Sequence, residues 1–340
     1  MPEVAACQDA LMERSDLSGR NKGADDTETA EDYRCFARGQ ASGRSPAYEA
    51  LAYGVAEDKA VLSFLGDLPA AKRQPNLLFA SARYLLGAPP EPSSLHELVL
   101  SRAEDLRRLI LSRRTQTNEP ARCAVLLPAL ATVRGPLALL EVGAAAGLTL
   151  LPDVYSYDYA GYRIAGSDPE APIIPCRPVG RVPLPERVPE VVWRAGIDID
   201  PLNVTSEEDV SWLSCLLWPG EAGRAERLEA AVAVARKRPP VIHRGDLLDD
   251  LAVVAAQAPS GATLVVYHSA VLTYVDEAKR RAFAEAVRAL GAMWLSNEGD
   301  GVLRCIGVDH GDASSMLLVR DGQEVLARAD PHGVWVEWMR

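Results

Sequence analysis

The sequence lacks both of the glycine-rich motifs that bind the phosphates of nucleotides. GxxxxGK[ST] is absent, and the glycines at 143 and 147 enclose "AAA", which departs from GxGxxG. Basic clusters are short and the formal net charge is −11, so we expect no nucleic-acid partner. No stretch reaches the roughly 18 apolar residues that a membrane span needs, so we expect no membrane partner either.

The six cysteines include no CxxC pair. This scatter indicates reduced structural thiols and no metal site. The N-terminus has no basic-then-apolar signal peptide, so we expect a cytoplasmic protein. A chain of 340 residues that is 48% hydrophobic is long enough for one large domain with an appendage, or for two domains. The oligomeric state stays open.

Helical periodicity dominates the N-terminal third. Residues 1–30 are polar and acidic, and we expect a flexible lead-in there. Residues 31–120 carry apolar positions at helical spacing, as in "SPAYEALAYGVAEDKAVLSFLGDL", where Ser45-Pro46 marks a helix start. We expect a helical N-terminal cap that covers the strand ends, because the "TQTNEP" connection is short.

Residues 121–340 alternate strands with helices. Continuous apolar runs of strand length predict a parallel sheet that is buried on both faces. The hairpin signal "SMLLVRDGQEVLARAD", with Asp321-Gly322 at its turn, predicts antiparallel strands at the end of the sheet. Residues 152–190 hold eight of the 24 prolines, and we expect an irregular insertion. The five predicted parallel strands are "LALLEVG", "VVWRAGIDID", "PVIHRGD", "ATLVVYHS" and "AMWLSNEG".

Polar side chains end each of these strands. Ligands of open parallel sheets bind at the carboxyl ends of the strands, so this edge is the candidate site. Gly143 permits a tight turn, and Gly147 permits a close approach of ligand to backbone. The strand-end residues are Glu141, Asp198 with Asp200, Asp246, His268, and Asn297 with Glu298.

Several of these residues also have a structural interpretation. His268 is either a base that contacts substrate or a buried group that completes its strand. The segment "QTNEPAR" before the first strand either caps a helix or holds substrate. The tyrosines of "DVYSYDY" either line a substrate pocket or pack the insertion onto the sheet.

The combination of ExGxxxG, acidic strand ends and a C-terminal hairpin resembles the class I S-adenosylmethionine-dependent methyltransferases. The resemblance implies a Rossmann-like α/β fold, a parallel sheet with an antiparallel C-terminal hairpin, joined to the helical N-terminal region. It implies S-adenosylmethionine as the cofactor, with Asp198 or Asp200 at its ribose. The residues that would bind the cofactor are Glu141, Gly143, Ala145, Gly147, Asp198, Asp200 and Asp246. The resemblance places His268, Glu298 and Tyr274 at the methyl acceptor as catalytic candidates, and Gln116, Asn118, Arg122, Tyr155 and Asn297 at the substrate.

A second resemblance covers the chain from about residue 33. The motifs "QPNLLFA", "RTQTNEPARCAVLLPAL", "LLEVGAAAGLTLLPDVYSYDY", "VVYHSAVLTYV" and "ADPHG" resemble the bacterial family called domain of unknown function 2332. That family implies a methyltransferase-like fold and no established activity. This chain departs from the family at Ala145, Thr149 and Val154, where Ser, Asn and Arg are usual.

The sequence therefore predicts an S-adenosylmethionine-dependent methyltransferase that acts on a small molecule. One alternative is a methyltransferase-like binding or regulatory protein without turnover. Another is a hydrolase or cyclase that works from His268 and Glu298 in the same cleft.

Overall fold

The computed structural model describes residues 26–308 and 315–339, so the expected lead-in at 1–30 lies almost wholly outside the described residues. The described chain forms two compact units. The first ends at Thr117 and also includes Glu208–Ala225, and the second comprises Asn118–Glu207 and the chain from Glu226 onward.

The described part of the first unit contains helices and no strand, as the periodicity predicts. The Ser45 hydroxyl accepts a hydrogen bond from the Tyr48 N–H (3.4 Å), and Pro46 occupies the first turn, so the predicted helix start is confirmed. No helix within residues 26–308 or 315–339 is long and apolar enough to cross a membrane. The helices are α1 (Asp26–Phe36), α2 (Pro46–Glu57), α3 (Lys59–Gly66), α4 (Pro75–Leu86) and α5 (Pro92–Ser112), and a further helix spans Glu207–Cys215.

The second unit is a mixed α/β structure built on a large sheet. All five predicted parallel strands are present, and so is the predicted hairpin. Its strands are β1 (Leu137–Val142), β2 (Ser156–Tyr159), β3 (Tyr162–Ile164), β4 (Ile173–Pro175), β5 (Arg177–Val179), β6 (Val191–Asp198), β7 (Ile242–Arg244), β8 (Thr263–Ser269), β9 (Met293–Gly299), β10 (Met316–Arg320), β11 (Glu324–Ala329) and β12 (Trp335–Trp338). Its helices are α6 (Arg122–Leu130), α7 (Arg224–Lys237), α8 (Leu251–Ala255), α9 (Glu277–Ala289) and α10 (Asp300–Leu303).

The large sheet has the order β5-β12-β11-β10-β9-β8-β1-β6-β7. Strands β7, β6, β1, β8 and β9 pair in parallel, and all six residues of β1 are buried. The chain runs from β1 outward to β6 and β7, and then returns to the other side of β1 for β8 and β9. This reversal between β1 and β8 is the switch point at which doubly wound sheets bind ligands.

Strand register decides which strand-end side chains share a face. Glu141 is level with Tyr267, and Ser269 is level with Asn297. Because side chains alternate along a strand, these four point to one face of the sheet. His268, which lies between Tyr267 and Ser269, points to the opposite face with Ser296 and Glu298.

The insertion at 152–190 differs from the expected irregular loop. It contains a three-stranded sheet of order β3-β2-β4, and β5 joins the large sheet beside β12. Tyr157 and Tyr159 are buried and alternate with the half-buried Ser156 and Asp158, which is the period of a strand. This alternation is difficult to detect in the sequence, because the strands are short and the segment is rich in proline.

Candidate functional site

Glu141 lies at the carboxyl end of β1, and its side chain is 2% exposed. One carboxyl oxygen, Oε1, accepts a hydrogen bond from the Thr149 hydroxyl. The other, Oε2, has no hydrogen-bond partner among the described residues. Burial raises the pKa of Glu141 to about 8, against the lowering effects of the Thr149 hydroxyl and the Arg122 charge. A buried acid with one unused oxygen is a group that a polar ligand can satisfy.

Asn118 and Thr149 support Glu141 from the side. The Asn118 amide nitrogen donates to Thr149 Oγ1 (3.4 Å), and its Oδ1 accepts from the Leu148 N–H (2.7 Å). Asn118 therefore fixes the turn after the glycine loop and, through Thr149, the orientation of Glu141. Asn118 does not cap the following helix, which begins after Ala121 without a side-chain cap, and its contact with substrate stays a prediction.

The loop Gly143–Gly147 donates most of its backbone N–H groups to acceptors within the protein. Both glycines have a left-handed backbone, with φ of 73° and 72°, which explains the residue type. A Cβ on Gly143 would stand 2.2 Å from Val271 Cγ2, and one on Gly147 would stand 2.7 Å from Pro240 Cβ. Ala145 donates its N–H to Asp198 Oδ2 (2.8 Å). Protein side chains thus fill the space that the missing Cβ atoms leave.

The acids at the ends of β6 and β7 have protein partners. Asp198 is buried, and besides the Ala145 amide it accepts the Asp200 N–H at Oδ1 (2.8 Å). Asp200 pairs with Arg244 (2.7 Å). Asp246 forms an ion pair with Lys279. Burial raises the pKa of the Asp246 carboxyl, but Lys279 and backbone amides together hold that pKa below its usual value. The sheet brings these acids to one edge, and Asp198 joins that edge to the glycine loop.

His268 is fully buried, with both ring nitrogens hydrogen-bonded. Trp294 Nε1 lies 3.1 Å from His268 Nε2, and an indole N–H can only donate, so Nε2 accepts. The ring hydrogen is therefore on Nδ1, which donates to Glu298 Oε1 (2.7 Å). The ring also packs against Phe283 with centroids 5.5 Å apart. These contacts match the structural alternative for His268, because neither nitrogen is left to take a substrate proton.

Glu298 is fully buried beside His268. Its Oε1 also accepts the backbone N–H groups of Val271 (2.9 Å) and Leu272 (3.1 Å). Its Oε2 has no hydrogen-bond partner among the described residues. Glu298 therefore joins the end of β9 to the segment that follows β8.

Asn297 lies on the same face of the sheet as Glu141, and Arg122 contacts the end of β8. The Asn297 amide donates to Ser269 Oγ (2.9 Å), and its Oδ1 has no hydrogen-bond partner within the described chain. Arg122 donates to the carbonyls of Ser269 (3.1 Å) and Pro331 (3.0 Å), and its charge acts on Glu141. Two predicted substrate residues therefore gather near the predicted cofactor residue at the ends of β1, β8 and β9.

The three remaining predicted site residues have other contacts. The Tyr155 hydroxyl donates to the Leu148 carbonyl (2.7 Å) within a fully buried environment, in agreement with its packing alternative. Tyr274 is 57% exposed in the turn after β8. Gln116 belongs to the first unit, where its N–H donates to the Arg114 carbonyl (3.1 Å).

The sequence singled out neither Thr149 nor Trp294 as a site residue. Thr149 holds the Glu141 carboxyl, and Trp294 fixes the His268 tautomer. The departure of position 149 from the family pattern was the available signal for the first. The sequence gives no signal for Trp294, because an indole in a buried strand is typical of a hydrophobic core.

Comparison with known proteins places the chain in a family. The family model described as uncharacterized protein conserved in bacteria, domain of unknown function 2332, matches residues 30–338. The chain belongs to this family. No curated protein and no solved structure matches it.

Proposed function

We propose that this protein binds S-adenosylmethionine at the carboxyl edge of β1 and β6 and transfers its methyl group to a small molecule. The environment of Glu141 carries the proposal. This acid is 2% exposed and lies beside the switch point of the parallel strands. One of its oxygens has no hydrogen-bond partner among the described residues. An ammonium group, such as that of the methionine part, satisfies such a carboxyl group.

The residues present fit this cofactor in part. Glu141 would hold the ammonium group, and Thr149 and Asn118 would orient Glu141. The contact of Asp198 or Asp200 with the ribose stays a prediction, and Asp198 also accepts the amides of Ala145 and Asp200, one on each oxygen. We therefore assign Asp198 to shaping the loop.

The bound cofactor supplies an electrophilic methyl group. Methyl transfer depends chiefly on proximity and alignment, and this chain's residues would provide both at the edge of the sheet. His268 and Glu298 are hydrogen-bonded to each other in the core, so we assign neither of them a role in proton transfer. The net charge of −11 favours a small acceptor over DNA or RNA.

Calorimetry with S-adenosylmethionine, S-adenosylhomocysteine and NAD tests the proposal. We expect the first two to bind and NAD to give no heat, because the GAAAG loop lacks the spacing of the dinucleotide motif. Glu141→Gln should weaken S-adenosylhomocysteine roughly tenfold or more, since an amide does not pair with an ammonium charge. Ser296→Ala is the matched control, because it removes a buried oxygen on the other face of the sheet. Binding of NAD alone would end the assignment.

A binding or regulatory protein without turnover is the second candidate. It is favoured by the hydrogen bonds at both His268 nitrogens, because they remove this predicted base from proton transfer. Saturable S-adenosylhomocysteine binding, with no methylated product from a panel of amines, phenols and carboxylic acids, would support it. The hydrolase or cyclase alternative requires His268 or Glu298 to act on a substrate, whereas both His268 nitrogens and Glu298 Oε1 are held by protein partners.

A further inference from the structure

The segment Ala270–Val275, which follows β8, is held in place from three sides. The Ala270 N–H donates to the Asn297 carbonyl (3.0 Å) at the end of β9. Arg280 in α9 donates through Nε to the carbonyls of Leu272 (2.8 Å) and Val275 (2.6 Å). The third anchor is Glu298, whose Oε1 accepts the next two amides after Ala270.

The backbone of this segment is strained at its first residue. Ala270 has φ of 57°, in the left-handed region that a residue with a Cβ rarely adopts. A non-glycine residue keeps such a conformation only where its surroundings hold it. The bonds from Val271 and Leu272 to Glu298 lie directly after the strained residue, so Glu298 is placed to supply that restraint.

Val271 connects the segment to the glycine loop. Its γ carbons fill the space beside Gly143 so closely that a Cβ there would stand 2.2 Å from Cγ2 and 2.7 Å from Cγ1. The position of Val271 is set by its own N–H bond to Glu298. The Glu298 carboxyl at the end of β9 thus holds the Val271 side chain against Gly143 at the end of β1.

We propose that Glu298 is a positioning residue that holds the Ala270–Val275 segment and, through Val271, keeps the Gly143 loop in its ligand-binding shape. His268 orients Glu298 by donating from Nδ1, and Trp294 fixes that tautomer. The inference rests on the proposed function only in taking the Gly143 loop as the ligand site. It replaces the expected catalytic role of Glu298 with an indirect one.

Three variants test this assignment on the full chain. Glu298→Ala removes the acceptor of three hydrogen bonds, whereas Glu298→Gln keeps a carbonyl oxygen for all three. Ser296→Ala is the control, because its hydroxyl lies on the same face of β9 and has no hydrogen-bond partner among the described residues. Hydrogen exchange at the Val271 and Leu272 amides is the first readout and needs no ligand. S-adenosylhomocysteine affinity is the second.

We expect Glu298→Ala to speed exchange at both amides roughly tenfold or more, because they lose their acceptor. The same variant should weaken S-adenosylhomocysteine roughly tenfold, since the loop is no longer preorganised. Glu298→Gln should restore both values to within about twofold of wild type, and Ser296→Ala should change neither. A merely structural role for Glu298 would change the exchange rates and leave the affinity of the folded protein for S-adenosylhomocysteine unchanged.

Unchanged exchange at Val271 and Leu272 in Glu298→Ala would overturn the proposal, as would a Glu298→Gln variant that behaves like Glu298→Ala. If Glu298→Ala does not fold, Val271→Ala decides, because it keeps the Glu298 bonds and removes the γ carbons that pack on Gly143. It should weaken S-adenosylhomocysteine in the same direction, and unchanged affinity would refute the coupling. If neither the wild type nor any variant binds S-adenosylhomocysteine, the cofactor is wrong; faster exchange at the Gly143 amide in Glu298→Ala would then support the positioning role, and unchanged exchange there would overturn it.

Discussion

Replacing Glu141 by glutamine should change how the stability of the protein depends on pH. The pKa of Glu141 is about 8 in the folded protein and about 4.5 ordinarily. A raised pKa means that the folded state binds the proton more tightly than the unfolded state. The stability that the protonated Glu141 side chain contributes is therefore fully present below pH 4.5. It is lost progressively as the pH rises through 8.

The magnitude follows from that difference. A shift of about 3.5 pH units at about 1.36 kcal/mol each amounts to about 5 kcal/mol. This is an upper value, because local relaxation and entry of water reduce the cost of a buried charge. In Glu141→Gln the side chain has no proton to lose, and its carbonyl oxygen still accepts the Thr149 hydroxyl. The variant should therefore gain stability relative to wild type as the pH rises, by up to about 4 kcal/mol between about pH 5 and pH 9.

Urea denaturation of both proteins at intervals from about pH 5 to pH 9 measures this gain. The difference between the two free energies of unfolding isolates Glu141, since all other titrating groups are common to both proteins. Curves that run parallel across the range would refute the reasoning, because they would show that the folded and unfolded pKa values of Glu141 are equal.

Three further substitutions give separate expectations. Thr149→Val removes a hydroxyl that lowers the Glu141 pKa, so the pH-dependent loss of stability should move to higher pH in the same urea series, whereas Thr149→Ser should leave it in place. His268→Asn should lower the free energy of unfolding by about 2–4 kcal/mol, because it breaks buried hydrogen bonds and packing, and should weaken ligand affinity in the folded fraction less than Glu298→Ala does, because Glu298 keeps its bonds to Val271 and Leu272; loss of ligand binding in a variant that stays stable would return His268 to the site. Gly143→Ala should cost about 2 kcal/mol or more in thermal unfolding even without ligand, because its φ is 73° and Val271 occupies the space; an unchanged melting temperature would contradict the packing reason for this glycine.

The sequence predicted the central strands because their signal is local. Leu137–Val142 is a continuous apolar run, and such a run is typical of a strand covered on both faces. The hairpin followed equally from Asp321-Gly322, where both residues have positive φ. The short strands of the insertion were missed because Tyr157 and Tyr159 offer only two periods among many prolines.

The candidate site was predictable as a list of strand-end residues and not as a set of contacts. The sequence placed Glu141 correctly at a strand end, but its unused oxygen depends on Thr149 and on burial. The environment of His268 depends on the indole of Trp294 and on Glu298, which lie 26 and 30 residues away. Tertiary contacts of this kind leave no periodic pattern in the chain.

A crystal structure of the protein grown with S-adenosylhomocysteine tests the central claim most directly. The account predicts the ligand at the carboxyl ends of β1 and β6, with its ammonium nitrogen about 2.7–3.2 Å from Glu141 Oε2. Ligand density elsewhere, with Glu141 Oε2 bonded to a protein group, would contradict the claim.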